Sequence, residues 1–191
     1  RPTGIFVPRF VNYPDQKKNY VRGFNCQGGA SRGRGTGATV IGSDLKTSFT
    51  EPGNWRVGFN AYGECLPYAD NQVTLDKNLV DKWGRPAISI DCSFKENEVN
   101  MRDDAIKIMQ EMFEAIGLKD IKAEGSMSFP GNANHEMGTA RMGMDPKTSV
   151  LNKWNQMHEV NNVFVTDGSC MPSIACQNPS LTFMALTARA C

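Results

Sequence analysis

At 191 residues with 40% hydrophobic content, the chain is long enough to bury one core, and its 21 Lys and Arg nearly balance 20 Asp and Glu. The net charge of +1 leaves no electrostatic footprint for nucleic acid or an anionic membrane. No apolar run approaches the roughly 20 residues of a membrane span, and RPTGIFVPRF lacks the pattern of a signal peptide, so the sequence reads as a soluble domain. It starts at Arg1 and not at Met, which leaves room for a targeting signal upstream.

The six cysteines, Cys26, Cys65, Cys92, Cys170, Cys176 and Cys191, form no C-x-x-C pair, and His135 and His158 are the only histidines. That combination points to reduced structural thiols and no metal site.

The first forty residues, rich in Gly, Arg and Asn with QGGASRGRGTGA at 27–38, read as a long surface excursion and not as a packed element. Gly33, Gly35 and Gly37 superficially look like a phosphate-cradling loop. A dinucleotide-binding fingerprint, however, needs a strand before it and a helix after it, and neither flank supplies one. Residues 54–94 turn to strand patterns: WRVGFNAYG and NQVTLD alternate, and AISIDCSF sets Ile88 and Ile90 on one face. DKWGRP at 81–86, with Gly84 and Pro86, connects the last two. The expected product is an antiparallel sheet with one buried face. Met101, Ala105, Ile106, Met109, Met112, Phe113 and Ile116 recur at helical spacing, predicting a helix over 100–116 with Asn100 as N-cap and Gly117 closing it, packed on that face.

His135 lies in the loop NANHEMGTARMGMDP. Taken alone, a loop histidine is more often a hydrogen-bonding surface group, although an imidazole with an unperturbed pKa near 6.5 is well suited to take a proton at neutral pH. VFVT at 163–166 reads as a short buried strand ending at Asp167 and Gly168, a pair that often only forms a turn. His158 reads as structural. Asn178 is a favoured N-cap and Pro179 suits the first helical position, so a helix is expected from there toward Ala190.

HEMGTARMG at 135–143, VFVTDGSCMPS at 163–173 and QNPSLTFMALTARA at 177–190, in that order and spacing, closely resemble the C-terminal signature of the glucose-methanol-choline (GMC) flavoprotein oxidoreductases. NQVTLDKNLVDKWGRPAISI is similar to a stretch of that family's substrate domain. The resemblance implies an α+β fold: an antiparallel sheet with helices on one face across residues 1–134, then a strand-helix segment over 135–191 that carries catalytic and FAD-contacting residues. It implies that FAD takes a hydride at N5 from a substrate CH–OH group, with His135 as the base and Asn178 facing the same oxygen. Asp167 and Gly168 then approach the ribityl and pyrophosphate part of FAD. The Pro179 turn lies beneath the flavin N1–O2 edge, and the Ser180 N–H is a donor to O2, because a helix N-terminus favours an anion.

The early QGGASRGRG portion resembles bacterial members that act on sugars, so an alcohol or sugar substrate is expected, in cytoplasm or periplasm, with the electron acceptor left open. No G-x-G-x-x-G unit with its acidic partner is present. The expected partner is therefore an N-terminal FAD-binding domain of the same polypeptide, without which the chain should not hold FAD tightly. The rival reading is a carbohydrate-binding or interaction module of the same fold with no redox role.

Overall fold

The computed structural model describes residues 4–12, 17–34 and 40–191. Three strands form one antiparallel sheet: β1 (Gly4–Val7), β2 (Phe24–Arg34) and β3 (Pro52–Gly63), in the order β1-β2-β3. β2 is the middle strand, paired on both edges, with Val7 opposite Cys26 on one side and Tyr62 opposite Asn25 on the other. Between β2 and β3 runs the short helix α1 (Ser43–Thr50).

The surface excursion expected over the first forty residues is thus corrected: Gly4–Val7 and Phe24–Arg34 are paired strands, and Val11, Tyr20, Phe24 and Cys26 are buried. The glycines of β2 carry little strand propensity of their own, but β3 pairs along the strand and β1 pairs with Cys26–Gly29, and tertiary pairing overrides propensity. Gly35 and Gly37 lie outside the described residues.

Phe24 and Cys26 are fully buried and cluster with Val11, Tyr20, Met101 and Ala105, forming the main core. Met101 and Ala105 come from α2 (Glu96–Ala115), which packs against β3, where the Phe113 ring meets Phe59 at 5.2 Å between centroids. α2 begins four residues before the expected Asn100. Lys95 is the N-cap, and its N–H donates to the Glu98 carboxylate at 2.9 Å, with Glu96 and Glu98 placed in the first turn where the helix dipole favours them. Glu98 is buried and also accepts from the Leu66 N–H at 3.1 Å and the Tyr68 hydroxyl at 3.1 Å, so it joins the helix start to the loop after β3. The far end closes as expected. Gly117 has φ +76, its N–H reaches Glu114 O, and the Leu118 N–H reaches Phe113 O, both at 3.0 Å, a Schellman ending that needs a left-handed residue.

β4 (Gln72–Val80) and β5 (Pro86–Asp91) form a separate two-stranded sheet, so residues 54–94 do not make the single sheet that alternation suggested. The register sets Val73 opposite Ile90 and Leu75 opposite Ile88, which puts all four on one face, as the pattern required. That face is not buried: Ile88 and Ile90 are 68% and 71% exposed. Alternation fixes which side chains share a face but not what covers it.

From residue 118 to 179 the chain is held by turns, a 3-10 turn at Gly168–Cys170 and isolated bridges. Leu151 and Asn155, both fully buried, form its interior. VFVT corrects to a single bridge at Phe164, with Val163 and Phe164 half exposed, because the backbone of this stretch is bonded to loop groups and not to a ladder. α3 (Ser180–Ala190) ends the fold, which is α+β, with antiparallel sheets and three helices among the described residues. Among the described residues no helix is long and apolar enough to cross a membrane.

Candidate active site

His135 lies within a stretch closed by the Ala133 N–H, which donates to the Glu136 carboxylate at 3.0 Å. Its ring is half-buried and has no hydrogen-bond partner among the described residues. Three residues on, Gly138 has φ +95, a conformation that side chains resist, and turns the chain so that residues 140–142 run beside the 3-10 turn. There the Ala140 N–H donates to Ser169 O and the Met142 N–H to Cys170 O, both at 2.9 Å.

Asp167 caps that turn, accepting the Ser169 N–H at 3.0 Å and the Ser169 hydroxyl. Gly168 lies hard against the histidine segment. A Cβ added there would stand 3.0 Å from the Glu136 carbonyl oxygen and 3.0 Å from Met137 Sδ. The structure therefore clasps the segment after His135, from Glu136 to Met142, against the Gly168–Cys170 turn that Asp167 caps, through backbone bonds and a close approach at Gly168; among the described residues no hydrogen bond joins His135 to Asp167 or Gly168.

Beyond Cys170 the chain crosses to the sheet. The Ser173 hydroxyl donates to Glu64 at 2.9 Å, and Asn25, from β2, donates through Nδ2 to the Cys176 carbonyl. Two residues later stands Asn178, exposed, and then the buried Pro179. The N-cap expected at Asn178 is corrected to Pro179, whose carbonyl takes the first helical N–H, from Phe183 at 3.1 Å. With φ −93 and ψ −8, Pro179 already turns as the helix does, which moves the boundary one residue on and leaves Asn178 outside it. No side chain caps α3. The N–H groups of Ser180, Leu181 and Thr182 consequently have no partner among the described residues, as an uncapped helix start leaves them.

The other end of α3 is fixed by Arg189, which donates to Asn155 Oδ1 at 3.0 Å, while Asn155 Nδ2 donates to Val165 O at 2.9 Å. A single buried amide thus links α3 to the chain entering Asp167. No hydrogen bond joins His135 to Asn178 among the described residues. An open hollow of about 440 Å³ adjoins the motif, lined by Thr139, Arg141, Lys147 and Ser149 among others. His158 Nε2 holds Ser149 Oγ at 3.0 Å, a structural contact.

The thiols are free, and burial pushes Cys26 up to about 11 and raises Cys170 and Cys176. Among the described residues no group of three or more His, Cys, Asp or Glu could hold a metal.

Asn25, Glu64, Ser173, Asn155 and Arg189 were not legible as site residues. The one local hint is a polar Asn25 between two core residues of a strand, since a buried amide needs partners.

The GMC oxidoreductase family model matches residues 67–187, and the chain belongs to the GMC oxidoreductases. It is 34% identical to a 2-methyl-1,2-propanediol dehydrogenase of Mycolicibacterium austroafricanum over 93% of this chain and 34% of that protein. It is 30% identical to the gluconate 2-dehydrogenase flavoprotein of Pantoea cypripedii, over 76% of this chain and 25% of the relative. With the fructose dehydrogenase large subunit of Gluconobacter japonicus it shares 29% identity, over 79% and 27%. The chain thus spans about a third or less of the relatives it matches.

GMC oxidoreductases are generally FAD-dependent. The residues present fit such a cofactor, because an uncapped helix start offers three unpartnered N–H groups to an anionic edge and Asp167 keeps an exposed carboxylate at a glycine turn.

Proposed function

We propose that this chain is the substrate-domain portion of an FAD-dependent oxidoreductase that oxidises the CH–OH group of a sugar or related alcohol. Residues 1–134 supply the sheet and α2, and residues 135–191 supply the reacting groups. The FAD-binding portion, with its G-x-G-x-x-G unit, belongs to the remainder of the same polypeptide. The observation that carries this reading is the clasp between the His135 segment and the Asp167–Gly168 turn, on a strap that continues to Asn178 and the open start of α3.

FAD, when bound, supplies the acceptor for the substrate's hydride. His135 takes the hydroxyl proton, so that the C–O bond can become a carbonyl as the carbon gives up hydrogen with its electron pair. Its imidazole is not committed to any other group here, which leaves it available to the alcohol. Asn178, freed from capping, donates its amide N–H to the same oxygen and orients it. The Ser180 N–H and the Pro179 turn would hold the flavin's pyrimidine edge, where fixed donors favour negative charge. Asp167 and Gly168 would hold its ribityl and pyrophosphate part.

The test is stopped-flow flavin reduction by a sugar in the full-length protein. His135→Ala should slow reduction by roughly 100-fold or more, the scale of a lost general base. Asn178→Ala should slow it less. A wild-type rate in His135→Ala contradicts the reading.

A further inference from the structure

The strap from Gly168 to Asn178 is attached to the rest of the molecule at three places. At its start, Ser169 O and Cys170 O accept from the His135 segment. In its middle and toward its end, Ser173 donates to Glu64 and the Cys176 carbonyl accepts from Asn25. Glu64 and Asn25 belong to the same end of the sheet. The Glu64 N–H donates to Gly23 O at 3.1 Å just beyond β3, and Asn25 sits in β2 one residue past Phe24, which pairs with Gly63.

Both anchors are buried, with Asn25 0% and Glu64 6% exposed. Their orientation is also fixed. Gln27 Nε2 donates to Asn25 Oδ1 at 3.2 Å, which leaves Nδ2 to point at Cys176, and Arg22 Nε lies 3.5 Å from the Glu64 carboxylate that Ser173 contacts. A core strand does not need these groups for its own pairing, since β2 is bonded on both edges by backbone. A buried amide and a buried carboxylate at this place must have their partners or lose stability, so they hold the strap at one height.

We propose that Asn25 and Glu64, acting through Cys176 O and Ser173, are positioning residues that set where Asn178 stands relative to His135. The proposal rests on the reading of His135 and Asn178 as the substrate-facing pair. Between the His135 clasp at Cys170 and the Asn25 anchor at Cys176 there are only five residues, and Asn178 follows two residues later. Releasing the anchors lets Asn178 drift while His135 stays clasped. A full 1 Å misplacement can cost about 100-fold, so a partial drift of Asn178 should cost less.

The experiment uses full-length holoenzyme variants Ser173→Ala, Ser173→Thr, Glu64→Gln and Asn25→Ser, with His135→Ala alongside. Flavin absorbance gives cofactor occupancy, anaerobic mixing with a sugar gives the limiting rate of flavin reduction and the apparent substrate affinity, and melting gives stability. A positioning role predicts a reduction rate lowered about 10-fold in Ser173→Ala and Asn25→Ser at unchanged flavin occupancy, and recovery in Ser173→Thr, which restores the hydroxyl donor. A purely structural role predicts lowered melting with a wild-type limiting rate in every variant that folds, and that result overturns the proposal. Should Asn25→Ser not fold, the Ser173 pair decides alone, because that half-buried hydroxyl can be removed with little loss of packing. His135→Ala separates the two ideas. A fast His135→Ala defeats the substrate-facing pair itself, whereas a slow His135→Ala with fast Ser173→Ala and Asn25→Ser defeats only the positioning role.

Discussion

Gly168→Ala tests the clasp that holds the candidate site. The new methyl would stand 3.0 Å from the Glu136 carbonyl oxygen, where ordinary contact begins at 3.4 Å, so the two backbones must part by about 0.4 Å. Met137, whose sulfur and methyl lie at 3.0 and 3.2 Å, can swing aside, but the carbonyl cannot. On its own side Gly168 is held by the Cys170 N–H to Asp167 O and the Met171 N–H to Gly168 O, and across the gap Ala140 is bonded to Ser169. Overpacking of this kind costs about 1–3 kcal/mol, and a Gly→Ala change returns about 0.4–1 kcal/mol through the unfolded chain, so the net loss is about 0–2.6 kcal/mol, centred near 1. In a domain of this size that lowers the melting temperature by about 2–4 °C. Urea unfolding of the 191-residue chain measures it, with Gly58→Ala as control, because a Cβ there meets no described atom within 4 Å. The same variant in the full-length enzyme shifts Glu136, next to His135, and should slow flavin reduction several-fold. If Gly168→Ala is more stable than wild type while Gly58→Ala behaves alike, the close approach does not exist and the clasp is misread.

Glu98→Ala leaves the Leu66 and Lys95 N–H groups and the Tyr68 hydroxyl without their acceptor and should cost about 1–3 kcal/mol in urea unfolding. Ile88→Lys and Ile90→Lys, on the exposed hairpin face, should each change the stability of the isolated chain by less than about 0.5 kcal/mol, whereas Leu151→Ala, at 0% exposure, should cost about 2–5 kcal/mol. Burial lifts Cys26 from 9 to about 11, so the unfolded chain gives up that proton first as pH rises; the associated stability is fully present below pH 9 and is lost through about pH 11. Unfolding free energies at pH 8 to 11 should fall less steeply in Cys26→Ala than in wild type, from a lower plateau. FAD added to the isolated 191-residue chain should leave its melting temperature nearly unchanged, since only part of the cofactor's contacts lie here; a clear rise with FAD concentration contradicts the division of the site.

The candidate residues could be singled out by motif, and the groups that support them could not. The family resemblance of three motifs singled out His135, Asp167, Gly168 and Asn178, and the structure packs the segment after His135 against the Gly168 turn while Asn178 stands exposed. α2 was visible because a 3.6-residue period repeats over several turns, yet its start was misplaced, since Lys95 is no habitual cap and its bond to Glu98 is a matter of geometry. β2 was hidden because glycines declare no preference and the strand owes its existence to neighbours on both sides. Asn25 and Glu64 left no local trace for a different reason: their partners are 151 and 109 positions away. Sequence patterns report periodicity and local chemistry, and contacts across such separations are written in the packing.

The most direct measurement is a structure of the full-length enzyme with FAD and a sugar analogue bound. His135 and Asn178 are expected to converge on one hydroxyl oxygen, each within about 2.6–3.2 Å, with the start of α3 against the flavin's pyrimidine edge. Side chains turned to opposite faces of the domain, or an oxygen held by neither, would contradict the assignment.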